Sequence, residues 1–164
     1  MKKISSLLLV FAMLFAFASC GGKDNPSVPE ITVNCTDSIG NIYLKISEEI
    51  PMEYEKFNLT ANDMIDYYGI KTEKISEMIA VQDACGYKDE IVMIKANDSA
   101  AAEEIADLLG QHIAYQKDSM KDYDPEQYKI LTSSIVDIKG EYVAMFISAS
   151  QDKMLEIYDS YFTD

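Results

Sequence analysis

The sequence predicts an α+β fold: a four-stranded, mostly antiparallel sheet from two hairpins, each followed by helix, with two N-terminal helices packed on it. Three observations carry this expectation. Apolar residues recur at helical spacing twice before any strand-like run begins, two pairs of short apolar runs are each split by turn residues, and each pair leads into a helical segment.

Ile39, Ile42, Tyr43, Ile46 and Ile50 fall on one face of a helix over 37–50, with Thr36 or Asp37 as its cap and Pro51 as its stop. Thr60-Ala61-Asn62-Asp63 sets an acid at the third helical position behind a threonine, and Gly69 closes a short helix over 61–68. From Ile75 the period changes. The runs 75–81 and 90–95 are short and apolar, and the residues from Asp83 to Asp89 between them are turn formers, so they read as a hairpin. Asp98 caps a long helix over 99–121 whose buried stripe is Ala102, Ile105, Ala106, Leu109, Ile113 and Met120. Asp124-Pro125-Glu126-Gln127 opens another helix, with a side-chain cap and a proline where no amide is needed.

Two further strands, 134–139 and 141–148, meet at Lys139-Gly140, where glycine supplies the positive φ of a tight turn. The second of them is apolar on both sides, with Val143, Met145 and Ile147 on one face and Tyr142, Ala144 and Phe146 on the other. It is therefore expected to be central and covered on both faces; the alternative is an open groove in which Tyr142 and Phe146 are partner contacts. Met154, Leu155, Tyr158, Tyr161 and Phe162 mark a C-terminal helix.

The N-terminus has a different character. Met1-Lys2-Lys3 is a short positive region, Ile4 to Ala18 is apolar but short for a membrane span, and Phe17-Ala18-Ser19-Cys20 places small residues before a thiol. This is the pattern of a bacterial lipoprotein signal, although Phe17 stands where the lipobox usually has an aliphatic residue. The expected organisation is a signal peptide over 1–19, a lipidated flexible tether over 20–30 and one extracytoplasmic globular domain over 31–164. Cys20 is the expected lipid attachment, holding the protein on the outer face of the cell membrane by palmitate-type acyl chains.

Acidic residues number 28 against 14 lysines and no arginine, for a net charge of −14, and removal of Lys2 and Lys3 would deepen it. Nucleic-acid binding is excluded, because phosphate recognition needs clustered cations. The same charge repels an anionic membrane surface, so attachment rests on acyl chains.

Residue chemistry points to no reaction. His112 is the only histidine and sits beside an apolar stripe, where it reads as a boundary residue, with no nucleophile elbow to accompany it. One histidine and two scattered cysteines, Cys35 and Cys85, give no zinc spacing, and a domain of this size needs no staple, so the two thiols are expected to be unpaired. The pairs Glu48-Glu49, Asp89-Glu90 and Glu103-Glu104, and Asp118 with Asp122, read as solvated faces in so acidic a chain. Asp122-Tyr123-Asp124 with Glu126 lacks a calcium-loop glycine. No cofactor is expected. Among eleven tyrosines most fall on apolar helix faces, whereas Tyr87, beside Gly86 at the first hairpin tip, is placed to meet a partner.

Four segments carry a family resemblance: Tyr68-Gly69-Ile70, Asp89 to Ala96, Tyr123-Asp124-Pro125-Glu126-Gln127, and Lys139-Gly140-Glu141-Tyr142-Val143. In this order, behind a lipobox and a glycine-containing tether, they resemble small Gram-positive lipoproteins with the domain of unknown function 4358, over residues 60–164. The resemblance implies location and fold kinship, and it carries over no functional residue.

The function expected is that of a non-enzymatic binding or interaction module of the cell envelope, its partner an envelope protein, a peptide or a small solute. An extracytoplasmic carboxylate-based hydrolase and an assembly factor without small ligand are the alternatives. Mass spectrometry of the membrane-extracted protein is expected to give an acylated N-terminus at Cys20. A mature N-terminus elsewhere, or unchanged membrane retention of a cleaved Cys20→Ala variant, would rule this out.

Overall fold

The computed structural model describes residues 33–84 and 88–163; the signal, the tether with Cys20, and Cys85 and Tyr87 lie outside them. In chain order the elements are β1 (Asn34–Cys35), α1 (Ile39–Glu49), β2 (Lys56–Asn58), α2 (Ala61–Tyr68), β3 (Ile75–Asp83), β4 (Glu90–Ala96), α3 (Ser99–Met120), α4 (Pro125–Ser133), β5 (Val136–Lys139), β6 (Tyr142–Ile147), α5 (Gln151–Asp159) and β7 (Phe162–Thr163). The main sheet has the order β2-β3-β4-β6-β5 with every neighbour antiparallel, and β1 pairs with β7 in a separate ribbon.

The fold is thus α+β as expected, but the sheet has five strands rather than four. The added strand, β2, is three exposed residues at the sheet edge, too short for an alternating pattern to register. Its pairing follows from β3, which extends to Asp83 and so offers Val81, Gln82 and Asp83 as partners. The two N-terminal helices are also differently placed: β2 separates them in the chain, and they cover opposite faces of the sheet.

Local chemistry sets the helix ends. Ser38, not Thr36 or Asp37, caps α1 by accepting the Asn41 amide at 3.2 Å, while Asp37 Oδ1 accepts from the Ser38 amide and from Asn41 Nδ2. Thr60 and Asp63 form a reciprocal capping box on α2, and Gly69 ends that helix at φ +70°, a conformation a side chain would strain. Asp98 accepts the Ala101 amide at 2.7 Å to start α3, and Asp124 accepts from Glu126 and Gln127 to start α4. The C-terminal helix stops at Asp159, so Tyr161 and Phe162 leave it, and Phe162 instead pairs with Cys35 in the β1–β7 ribbon.

The side-chain alternation of β4 and β6 divides the interior into two cores. Val92, Ile94, Val143, Met145 and Ile147 face one way, against Met64 of α2, Ile105, Leu109 and Ile113 of α3, and Leu131 of α4. Ile91, Met93, Tyr142, Ala144 and Phe146 face the other, against Ile39, Ile42 and Ile46 of α1 and Met154 and Tyr158 of α5. All six residues of β6 are buried, so the strand is central and covered on both faces. Cys35 keeps a free thiol 3.1 Å from the Asp37 carbonyl.

Phe146 is 4% exposed and stands edge-on to Tyr158, ring centroids 5.9 Å apart. Phe146→Ala is expected to lower unfolding free energy by about 3–5 kcal/mol in urea titration. A loss below about 1 kcal/mol would mean that this face of the sheet is open in solution.

Candidate functional site

Polar chemistry collects at one end of the sheet, where β3 ends, β4 begins and β6 ends. Glu90 opens β4 in register with Gln82 of β3 and Ile147 of β6, which puts it on the same face as Val92 and Ile94. It is 1% exposed, which overturns its reading as part of a solvated acidic pair. A carboxylate taken out of water costs several kcal/mol unless charge-compensating donors replace the solvent.

Two helices supply those donors. Tyr68, the last residue of α2, donates its hydroxyl to Glu90 Oε1 at 2.7 Å, and Gln116 Nε2 donates to Oε2 at 3.0 Å. His112 precedes Gln116 by one turn on α3, and its Nε2 lies 3.1 and 3.2 Å from the two carboxylate oxygens. The Tyr68 and His112 rings rest against each other with centroids 4.6 Å apart. Burial first, then the charge of Glu90 and the hydrogen bond to it, push the Tyr68 phenol far above its ordinary range, so it remains a donor.

His112 Nε2 is also 2.6 Å from Gln116 Nε2. One ring nitrogen serves only one of these neighbours at a time: with a proton on Nε2 it donates to Glu90, and without one it accepts from Gln116. Gln116 Oε1 is buried with no hydrogen-bond partner among the described residues. The cluster ties α2, α3 and β4 together, and His112 is its one part-exposed member.

One residue earlier the chain faces the other way. Asp89 borders an open cleft of about 300 Å³, formed by the α1–β2 connection (50–54), Lys88, the first turn of α4 with Ile130, and the β6–α5 turn (148–150) with Met154. Asp83, fully buried, accepts the Asp89 amide at 2.5 Å and so holds the hairpin end in place. Lys88 pairs with Asp124 at 2.5 Å, and the Lys88 carbonyl accepts from Gln127 Nε2 at 3.2 Å, which fastens the hairpin to the start of α4. Burial holds the Asp89 carboxyl above its usual range against a hydrogen bond with Ser148, and the charges of Asp83 and Glu53 add to the lift. Asp124 is held below its usual range by Lys88 and by the two amides it caps.

The expected partner contacts are not drawn together. Tyr142 and Phe146 are 8% and 4% exposed inside the second core, with Tyr142 edge-on to Phe162; Cys20 and Tyr87 lie outside the described residues. The Glu90 cluster was legible in one respect: 90, 92, 94 and 96 share a face, and Val92, Ile94 and Ala96 identify that face as inward. Nothing in the spacing links Glu90 to Tyr68 or Gln116. Among the described residues no group of three or more His, Cys, Asp or Glu side chains could hold a metal ion, and no helix is long and apolar enough to cross a membrane.

Fold and site together define an antiparallel α+β domain with helices on both faces of its sheet and a polar cleft at one end. The chain belongs to the family of the domain of unknown function DUF4358, whose model matches residues 50–148. The match begins at 50 rather than 60 and stops at 148, so it takes in β2, the Glu90 cluster and most of the cleft, and leaves α1 and α5 outside. No curated protein and no solved structure matches the chain.

Tyr68→Phe is expected to cost about 1.5–3 kcal/mol, the worth of a hydrogen bond to a charged group. In a Glu90→Ala background the same change should cost at least about 1 kcal/mol less, because the acceptor is gone. Equal costs in both backgrounds, read from chemical denaturation, would show that the pair is not coupled.

Proposed function

We propose that this chain is a lipid-anchored, non-enzymatic binding module of the cell envelope, held to the outer face of the membrane through Cys20, with its ligand taken into the cleft at the end of the sheet. The observation that carries the reading is the cleft itself. Its volume of about 300 Å³ lies at the lower end of small-molecule sites, and its wall mixes apolar side chains with polar and charged ones in equal measure. The signal pattern that ends at Cys20 supports the location.

One observation favours a second reading, a carboxylate-based hydrolase: burial lifts Asp89, as a general acid requires, and Glu53 and Glu126 border the same cleft. Binding is preferred because Glu53 and Glu126 are solvent-exposed, whereas catalytic carboxylates work from a fixed, water-poor setting.

Ala149 is exposed at the cleft wall, so Ala149→Trp fills the cleft without disturbing the core. In a thermal-shift screen of the full-length chain in detergent, small solutes and short peptides that raise the melting temperature are expected to lose at least about tenfold in affinity on this substitution. The free variant should melt as the parent does. If no stabilising compound is sensitive to Ala149→Trp, the cleft is not the site. Turnover of a compound that disappears in Asp89→Asn, with its binding retained, would select the hydrolase.

A further inference from the structure

We infer that the ligand group the cleft recognises is a primary ammonium carried on an apolar stem, an inference that rests on the cleft being the binding site. Three carboxylates border the cleft from separate segments: Glu53 from the α1–β2 connection, Asp89 from the start of β4 and Glu126 from the first turn of α4. Asp89 is the deepest of them, being half-buried while the other two are exposed.

The cations nearby do not cancel this charge. Lys88 also lines the cleft, but its ammonium sits 2.5 Å from Asp124, a fourth carboxylate outside the lining. The N-termini of α4 and α5 both border the cleft, and each contributes about half a positive charge. About one charge against three carboxylates still leaves the cleft negative, and its concave, partly apolar wall strengthens the field felt inside.

A metal ion does not suit this arrangement. Inner-sphere ligation needs donors converging within about 2.0–2.6 Å of one point, and no group of three ligating side chains does so among the described residues. Carboxylates spread around a rim suit a group with three divergent N–H donors, each able to meet a different acceptor. Gln127, Ser148 and Ser150 add neutral polar groups, and the rest of the wall is apolar or aromatic, including Met52, Tyr54, Ile130 and Met154. Methionines adapt to a flexible aliphatic chain, and a tyrosine face attracts an ammonium. A cation beside Asp89 also offsets the burial that favours its neutral form. The same ammonium chemistry is offered by a free alkyl diamine and by a lysine side chain of a peptide.

The experiment records methyl NMR spectra of the full-length chain in detergent, labelled at methionine and isoleucine, with four probes at about 0.15 M salt, where exposed charges are screened beyond about 8 Å. The probes are cadaverine, a capped Gly-Lys-Gly peptide, glutarate and 1,5-pentanediol. At least one of the two ammonium probes is expected to shift Met52, Ile130 and Met154, with glutarate and pentanediol inert. The affinity should fall at least tenfold in a Glu53→Gln, Glu126→Gln variant, whose substitutions are on exposed side chains and leave the fold intact. A response to cadaverine alone identifies a free amine, and one to the peptide alone identifies a lysine-bearing partner. If glutarate or pentanediol shifts these methyls as strongly as the amines, the cleft binds but the ammonium assignment is overturned. If no probe shifts them, or if shifts scatter over the surface and survive the double substitution, the inference fails as well.

Discussion

β4 and β6 lie side by side in the middle of the sheet, and both carry apolar side chains on both faces. A sheet of this kind cannot leave either face wet, because each exposed face would forgo about 25 cal/mol for every Å² of apolar surface left in water. Two helical layers are therefore required. The first is built from α2, α3 and α4, which follow the edge strand and the first hairpin; the second is built from the two ends of the domain, α1 and α5. The family match covers the sheet and the first layer, so the residues that close the second face come from outside it. The β1–β7 ribbon joins the chain just ahead of α1 to the chain just after α5.

Against that apolar background Glu90 is the one acid placed on the inner face of β4. Its cost is offset by donors from α2 and α3, and the geometry that satisfies it also sets how those helices meet the strand. Removing a single donor leaves charge or polar atoms buried without compensation, which is more damaging than the loss of one neutral contact. The cluster fastens α2 and α3 to the start of β4. Because Asp89 and Glu90 are consecutive in an extended chain, they face opposite ways, one toward the cleft and the other into the core. Cleft and core thus meet at the start of β4.

The acidity of the chain takes on a local meaning at this end of the molecule. A net charge of −14 repels anionic surfaces. Three of those acids border a concave site, and the lysine nearest to them is already engaged by Asp124. Burial, rather than the number of charges, distinguishes Asp89 from acids such as Glu48, Glu103 and Asp118, which stand on exposed helix faces.

Period and punctuation by themselves determined the helices, both hairpins and the division of β6 into two faces, since these depend on neighbours within a few residues. The alternation of Tyr142 to Ile147 maps residue for residue onto the two cores. The third-position acid behind Thr60, and the glycine that follows Tyr68, likewise specified α2 to the residue. Elements whose existence depends on a distant partner were not legible. β2 forms only because the end of β3 offers it a ladder, and Phe162 leaves the expected helix because Cys35 pairs with it across the whole domain. The same physics hid the sites. Tyr68, Glu90, His112 and Gln116 are brought together by the packing of two helices on a strand, and the cleft by four segments remote in the chain. Short-range patterns encode which face a residue takes; only tertiary packing decides what stands opposite it.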